Sequence, residues 1–182
     1  MKNVVYFDIE TQKSFDEIGG RSVQSFQKLL MSVGVTYSTK DRQYRIFHEG
    51  TVQEMIEQLR RADLVVGHNI IGFDYPVLTA YTPLDFALVP TLDTMADLEK
   101  ILHFRLSLDS IAKATIGNTK TAGGLDAIRW WKKGDPESLL KIAEYCCYDV
   151  KLTRLVHEYG QNHGELFYAD KFGQKRSVKV KW

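Results

Sequence analysis

The chain has 182 residues, 44% of them hydrophobic, and carries 24 Lys and Arg against 23 Asp and Glu. That is enough for one domain with a full core and short for two. The near-zero net charge argues against a protein that coats long stretches of nucleic acid by counterion release, but not against one that grips a strand end. The two cysteines, Cys146 and Cys147, are adjacent. They suit neither a structural staple nor a zinc site, and read as packed free thiols in a reducing cytoplasm. The apolar run after Met1 is short and closes in acids, so neither a signal segment nor a membrane span is expected.

In chain order, residues 3–10 read as a buried strand that ends in Asp8 and Glu10. The segment 11–28 is polar, contains Gly19-Gly20, and reads as a loop beside the first strand. Residues 29–38 and 43–49 alternate as two strands joined by the turn "TKDR". A helix is expected over 51–63, with Thr51 and Glu54 as a capping box and Val52, Met55, Ile56 and Leu59 on its apolar face. Residues 64–68 form another short strand, 74–81 a short helix, and 86–94 contain a fifth strand. Helices follow over 94–102 and 107–116, the second capped by Ser107, and "GNTKTAGG" reads as a loop. The longest helix begins at Asp135-Pro136 and runs to about Gly160. The basic tail, 161–182, closes with an edge-like strand. A meander that passes into β-α-β units implies a mixed sheet flanked by helices, in one domain spanning 1–182.

Asp8 and Glu10 are two residues apart on a strand and so share a face, where like charges repel. Something should compensate them. In "GHNIIGFDYP", Asp74 suits an N-cap, Phe73 suits the core, Asn69 suits the turn after the strand, and His68 suits a structural hydrogen bond. In "YCCYDVKL", Tyr145 and Asp149 lie one helical turn apart on one face, whereas Tyr148 points elsewhere. Each element has an ordinary structural explanation when taken alone.

Taken together and in this order, "FDIET", N-x-x-x-F-D and Y-x-x-x-D resemble the DEDD superfamily of 3′–5′ exonucleases, in its tyrosine (DEDDy) subgroup. The match is similar to the proofreading domains of family B DNA polymerases and covers about residues 3–160. It includes "LDT" at 92–94 and the helix "LSLDSIAKATIG". The resemblance implies an RNase H-like five-stranded mixed sheet with one antiparallel strand. It implies that Asp8, Glu10, Asp74 and Asp149 hold two Mg²⁺ or Mn²⁺ ions, with Tyr145 beside the nucleophile. The implied reaction is phosphodiester hydrolysis at the 3′ end of single-stranded nucleic acid, DNA favoured over RNA, releasing nucleoside 5′-monophosphates. All-oxygen ligands suit those hard cations. Thr11, Gln12, Asn69 and Phe73 are the expected substrate contacts, with Phe15 and Phe26 as further stacking candidates. Lys120, Arg129, Lys132, Lys133 and the tail cations are candidates for meeting phosphate. A polymerase or helicase is the expected protein partner, and no membrane is expected. The alternatives are a catalytically silent binding or polymerase-accessory module, an RNA-directed exoribonuclease, an RNase H-like endonuclease or resolvase, and a phosphohydrolase of small nucleotides.

Overall fold

The computed structural model describes residues 2–118 and 123–182; Lys120 lies outside the described residues. Strand β1 (Val4–Thr11) is the centre of a five-stranded sheet. Its apolar run is buried on both faces, which is the sequence signature of a strand sandwiched between layers. β2 (Met31–Ser38) pairs antiparallel with β1 and with β3 (Gln43–His48). On the other side β4 (Leu64–Gly67) and β5 (Thr91–Asp93) run parallel to β1. The order β3-β2-β1-β4-β5 therefore has one antiparallel strand, β2, as the resemblance implies.

Helices α1 (Phe26–Leu29), α2 (Val52–Arg60) and α3 (Asp74–Leu78) cover one face of the sheet. Val5, Phe7 and Ile9 of β1 pack there with Met55, Leu59 and Leu78. Helices α4 (Thr94–Leu102) and α5 (Leu108–Ile116) lead on to α6 (Gly124–Lys133) and the 28-residue α7 (Pro136–His163). The other face of β1 packs on α7 through Tyr6, Ile142, Cys146 and Val150.

Several expectations are corrected. The Thr51–Glu54 capping box does not form: a single-turn helix at Glu49–Thr51 precedes α2, and the His48 ring accepts from the Gly50 amide instead. Asp74 caps nothing with its side chain; it is the first residue of α3. The fifth strand does lie within 86–94, as expected, at Thr91–Asp93, while Phe86–Leu88 turn under an Asp85 cap. The 11–28 segment is not a bare loop but folds into two short turns and α1. α6 was not foreseen at all.

The longest helix does not stop at Gly160 but at His163, with Gly164 in the left-handed conformation. Gly160 is needed for a different reason. A Cβ there would lie 2.7 Å from the Trp182 ring, so glycine lets the chain end sit on the helix. The tail is not an edge of the main sheet. β6 (Glu165–Ala169) and β7 (Lys175–Lys179) make their own antiparallel hairpin, packed on α5 and α7 through Leu166, Val178 and Val180.

Candidate active site

Alternation along β1 turns Tyr6, Asp8 and Glu10 toward α7. Three turns of that helix answer them. Tyr145 and Asp149 stand over the acids, the Cys146 thiol lies 3.4 Å from Asp8 Oδ2, and the His157 ring lies 2.9 Å from the Tyr6 hydroxyl. Oxygens of Asp8, Glu10 and Asp149 lie within 4.8 Å of one another, and Glu10 and Asp149 are buried. At the end of β1 the pairing with β2 slips, Glu10 facing Val33 but Thr11 facing Met31. Such a bulge bends the strand end and re-aims its side chains beside a site.

The fourth acid arrives from the α3 segment. Asp74 is 3% exposed, and its Oδ1 accepts the Ile9 amide at 3.0 Å, so its carboxylate is fastened to β1 between Asp8 and Glu10. Burial and the Asp8 charge push its pKa well above the usual carboxylate range. Burial, the charges of Asp149, Glu10 and Asp8, and a hydrogen bond to Asp149 push the Tyr145 phenol up. This is the charge conflict read from the sequence, and a bound cation removes it. Buried acids with all-oxygen donors fit a hard divalent ion.

All four acids and Tyr145 line one cleft of about 600 Å³, a volume that suits a small ligand such as one nucleotide. Thr11, Asn69, Phe73 and Phe15 line it too. Gln12 does not: its amide is committed to the Met31 carbonyl at 3.0 Å and to Glu49 at 2.9 Å. Phe26 is core, edge-on to Phe15 and Phe73. Of the cations expected to meet phosphate, Arg129 pairs with Asp126 at 2.9 Å, Lys132 with Glu17 at 2.7 Å and Arg176 with Asp170 at 2.9 Å. The Lys132 hydrogen bond draws the Glu17 carboxyl down to about 2. That pair ties the 11–28 segment to α6, so the cleft has Ser14 and Phe15 on one wall and Leu125 and Ile128 on the other.

Asn69 has φ 68°, a left-handed conformation that Asn tolerates better than most residues. Asp93 holds this turn by accepting from the amides of Asn69 and Ile71 at 2.8 and 2.9 Å, while also capping α4. His68 is a structural hydrogen-bonder, as its setting suggested, with Thr94 Oγ1 and the Leu106 carbonyl as partners. Sequence reasoning missed Asp93 and Cys146. Asp93 had a signal, an acid at a strand end before a helix; Cys146 had none beyond its place one turn from Asp149.

A family model of the RNase_H superfamily matches residues 5–160, from β1 through nearly all of α7. The chain belongs to the RNase_H superfamily. No curated protein matches it. Among solved structures, the superfamily fold of this chain is similar to the family B DNA polymerase from the hyperthermophilic archaeon Pyrobaculum calidifontis, with a TM-score of 0.66 and 18% identity. That likeness covers 88% of this chain and 24% of the polymerase chain, so it spans about a quarter of that protein. Among the described residues no helix is long and apolar enough to cross a membrane.

Proposed function

We propose that the chain is a divalent-metal-dependent 3′–5′ exonuclease of the tyrosine DEDD subgroup, acting on single-stranded ends, DNA in preference to RNA. The observation that carries this reading is Asp74. A capping acid would have turned back on its own helix, whereas Asp74 crosses to β1 and completes the cleft that Asp8, Glu10 and Asp149 line. Membership of the RNase_H superfamily supports a nuclease.

Asp8, Glu10, Asp74 and Asp149 would hold two Mg²⁺ or Mn²⁺ ions. Bound there, such ions lower the pKa of water and offset charge on the phosphate. Without them the acids repel a polyanion, so strand binding and metal binding are coupled. Tyr145, whose intrinsic pKa is about 10, stays protonated beside these acids and acts as a hydrogen-bond donor that orients the water or the phosphate. Asn69 and Thr11 offer polar contacts to the terminal nucleotide, while Phe15, Phe73 and Ile128 present apolar walls to its base. We read residues 1–182 as one exonuclease unit. Two free cysteines, one of them buried, support a reducing cytoplasmic setting, with a polymerase or helicase as protein partner.

The test is a 5′-labelled single strand, as DNA and as RNA, incubated with Mg²⁺ or Mn²⁺. A ladder that shortens from the 3′ end, disappears with chelator and disappears in Asp8→Ala is the expected result. Cleavage of a circular single strand would point to an endonuclease, and metal-dependent binding without turnover to a silent binding module.

A further inference from the structure

The hairpin β6–β7 lies beyond the residues that match the superfamily, which end at 160. From Glu165 to Trp182 it carries five Lys or Arg against two acids, a local charge of +3 in a chain whose total is +1. The rest of the molecule is therefore net acidic. Alternation puts Lys175, Ser177 and Lys179 on one face of β7, with Phe167 opposite Ser177, and Lys175 Nζ lies 4.2 Å from the centre of the Phe167 ring.

At the turn of the hairpin is a second cavity, of about 460 Å³, lined by Phe104, Tyr168, Lys171, Phe172 and Arg176 among others. Phe172 is 74% exposed and Phe104 46% exposed. Phe104 is braced edge-on against Tyr168 at 5.8 Å. Arg176 is held in place by Asp170 at 2.9 Å, so the wall is built and not a loose fringe. The wall of the cavity is tied to the cleft through a short stretch of backbone. His68, which lines the cleft, meets the Leu106 carbonyl at 3.1 Å, and Phe104 is two residues away, within about 7 Å of chain.

Exposed rings flanked by cations are what a single strand uses: bases stack on the rings while phosphates meet the charges. An apolar protein partner would instead have to strip water from Lys171 and Arg176, and charged residues are depleted at the cores of protein interfaces. We propose that the hairpin cavity is a second nucleic-acid subsite, which stacks a base of the same single strand whose 3′ end enters the cleft. Its position along that strand rests on the exonuclease reading above. Its affinity for single strands does not.

The experiment separates the two. Affinity is measured by fluorescence anisotropy for a long, hydrolysis-resistant phosphorothioate strand, and turnover is measured on a dinucleotide too short to reach the hairpin. Phe172→Ala with Lys171→Ala should weaken long-strand binding at least about fivefold, the lower end for one lost stacked base, and leave dinucleotide turnover unchanged. Lys175→Glu with Lys179→Glu, at exposed positions, should also weaken it and flatten its salt dependence. Unchanged long-strand affinity in both variants overturns the subsite. So does a wild-type dimer that Phe172→Ala dissolves without loss of strand affinity, since the patch would then serve a second copy of the chain. A wild type that never shortens a long strand from its 3′ end sinks the exonuclease reading, while a Phe172-dependent strand affinity would still uphold the subsite.

Discussion

The two faces of β1 come from the same eight residues and have opposite characters. Val5, Phe7 and Ile9 look into an apolar layer in which Phe7 stacks on Tyr75 and Tyr75 on Phe86. Tyr6, Asp8 and Glu10 look at α7 across a ladder of polar partners: His157, Cys146, and the pair Tyr145 and Asp149. One face supplies stability by burial. The other concentrates charge at a cost in stability that the apolar face offsets, which is the usual tension between stability and function. Inverting the register by one residue would exchange the two, so the strand's alternation is the first determinant of the site.

This contrast can be broken from either side. On the polar face, Asp8→Ala should lose several kcal/mol of transition-state stabilisation, about a thousandfold in kcat or more. Its melting temperature in chelator should be unchanged or higher, because a repulsive charge is gone; a clear drop would mean that Asp8 is structural. On the apolar face, Phe7→Ala should cost about 3–5 kcal/mol in denaturant unfolding, by loss of transfer energy and creation of a cavity. A cost below ~1 kcal/mol would show that this layer is not what holds the strand.

His157 tests the inner end of the polar ladder. It is 1% exposed, and burial, then the Lys2 charge, push its pKa down to about 4. Between that value and the ordinary 6.5 the unfolded chain binds the proton that the fold refuses, so its contribution to stability is full above pH 6.5 and is lost as the pH falls toward 4. The loss should be on the order of 2 kcal/mol. Denaturant midpoints at pH 7 and pH 5 should diverge in the wild type and converge in His157→Gln. The smallest effect is expected at Tyr145→Phe, which removes one donated hydrogen bond and should slow turnover about tenfold. Loss as severe as that of Asp8→Ala would make the phenol a proton-transfer group.

Much of this was legible in the sequence because it repeats at short period. β1 to β4 follow from alternation and β-branched runs, and α7 from its Asp135-Pro136 start. The acids were legible as strings, but their convergence was not: Asp8, Asp74 and Asp149 come from three elements, and only the packing of α3 and α7 against β1 joins them. α6 escaped although its apolar residues recur at helical spacing, because it follows directly on a glycine-rich stretch that reads as loop. Leu125 and Ile128 face the cleft while Ala127, Trp130 and Trp131 pack on the core, so the helix serves both. The end of α7 was misjudged because Gly160 looks like a terminator, whereas Trp182, far along the sequence, is what requires it.

The spacing of the acids has a consequence in time as well as in space. Asp8, Glu10 and Asp74 lie within the first 74 residues, whereas Asp149 and Tyr145 ride on α7 and are synthesised about 70 residues later. Contacts this distant in sequence close late in folding. A nascent chain would carry three of the four acids for many residues of elongation without a complete site. On the proposed reading, cleavage would begin only when α7 docked along β1, so a chain elongated only as far as Asp74 would be inert toward the nucleic acid around it.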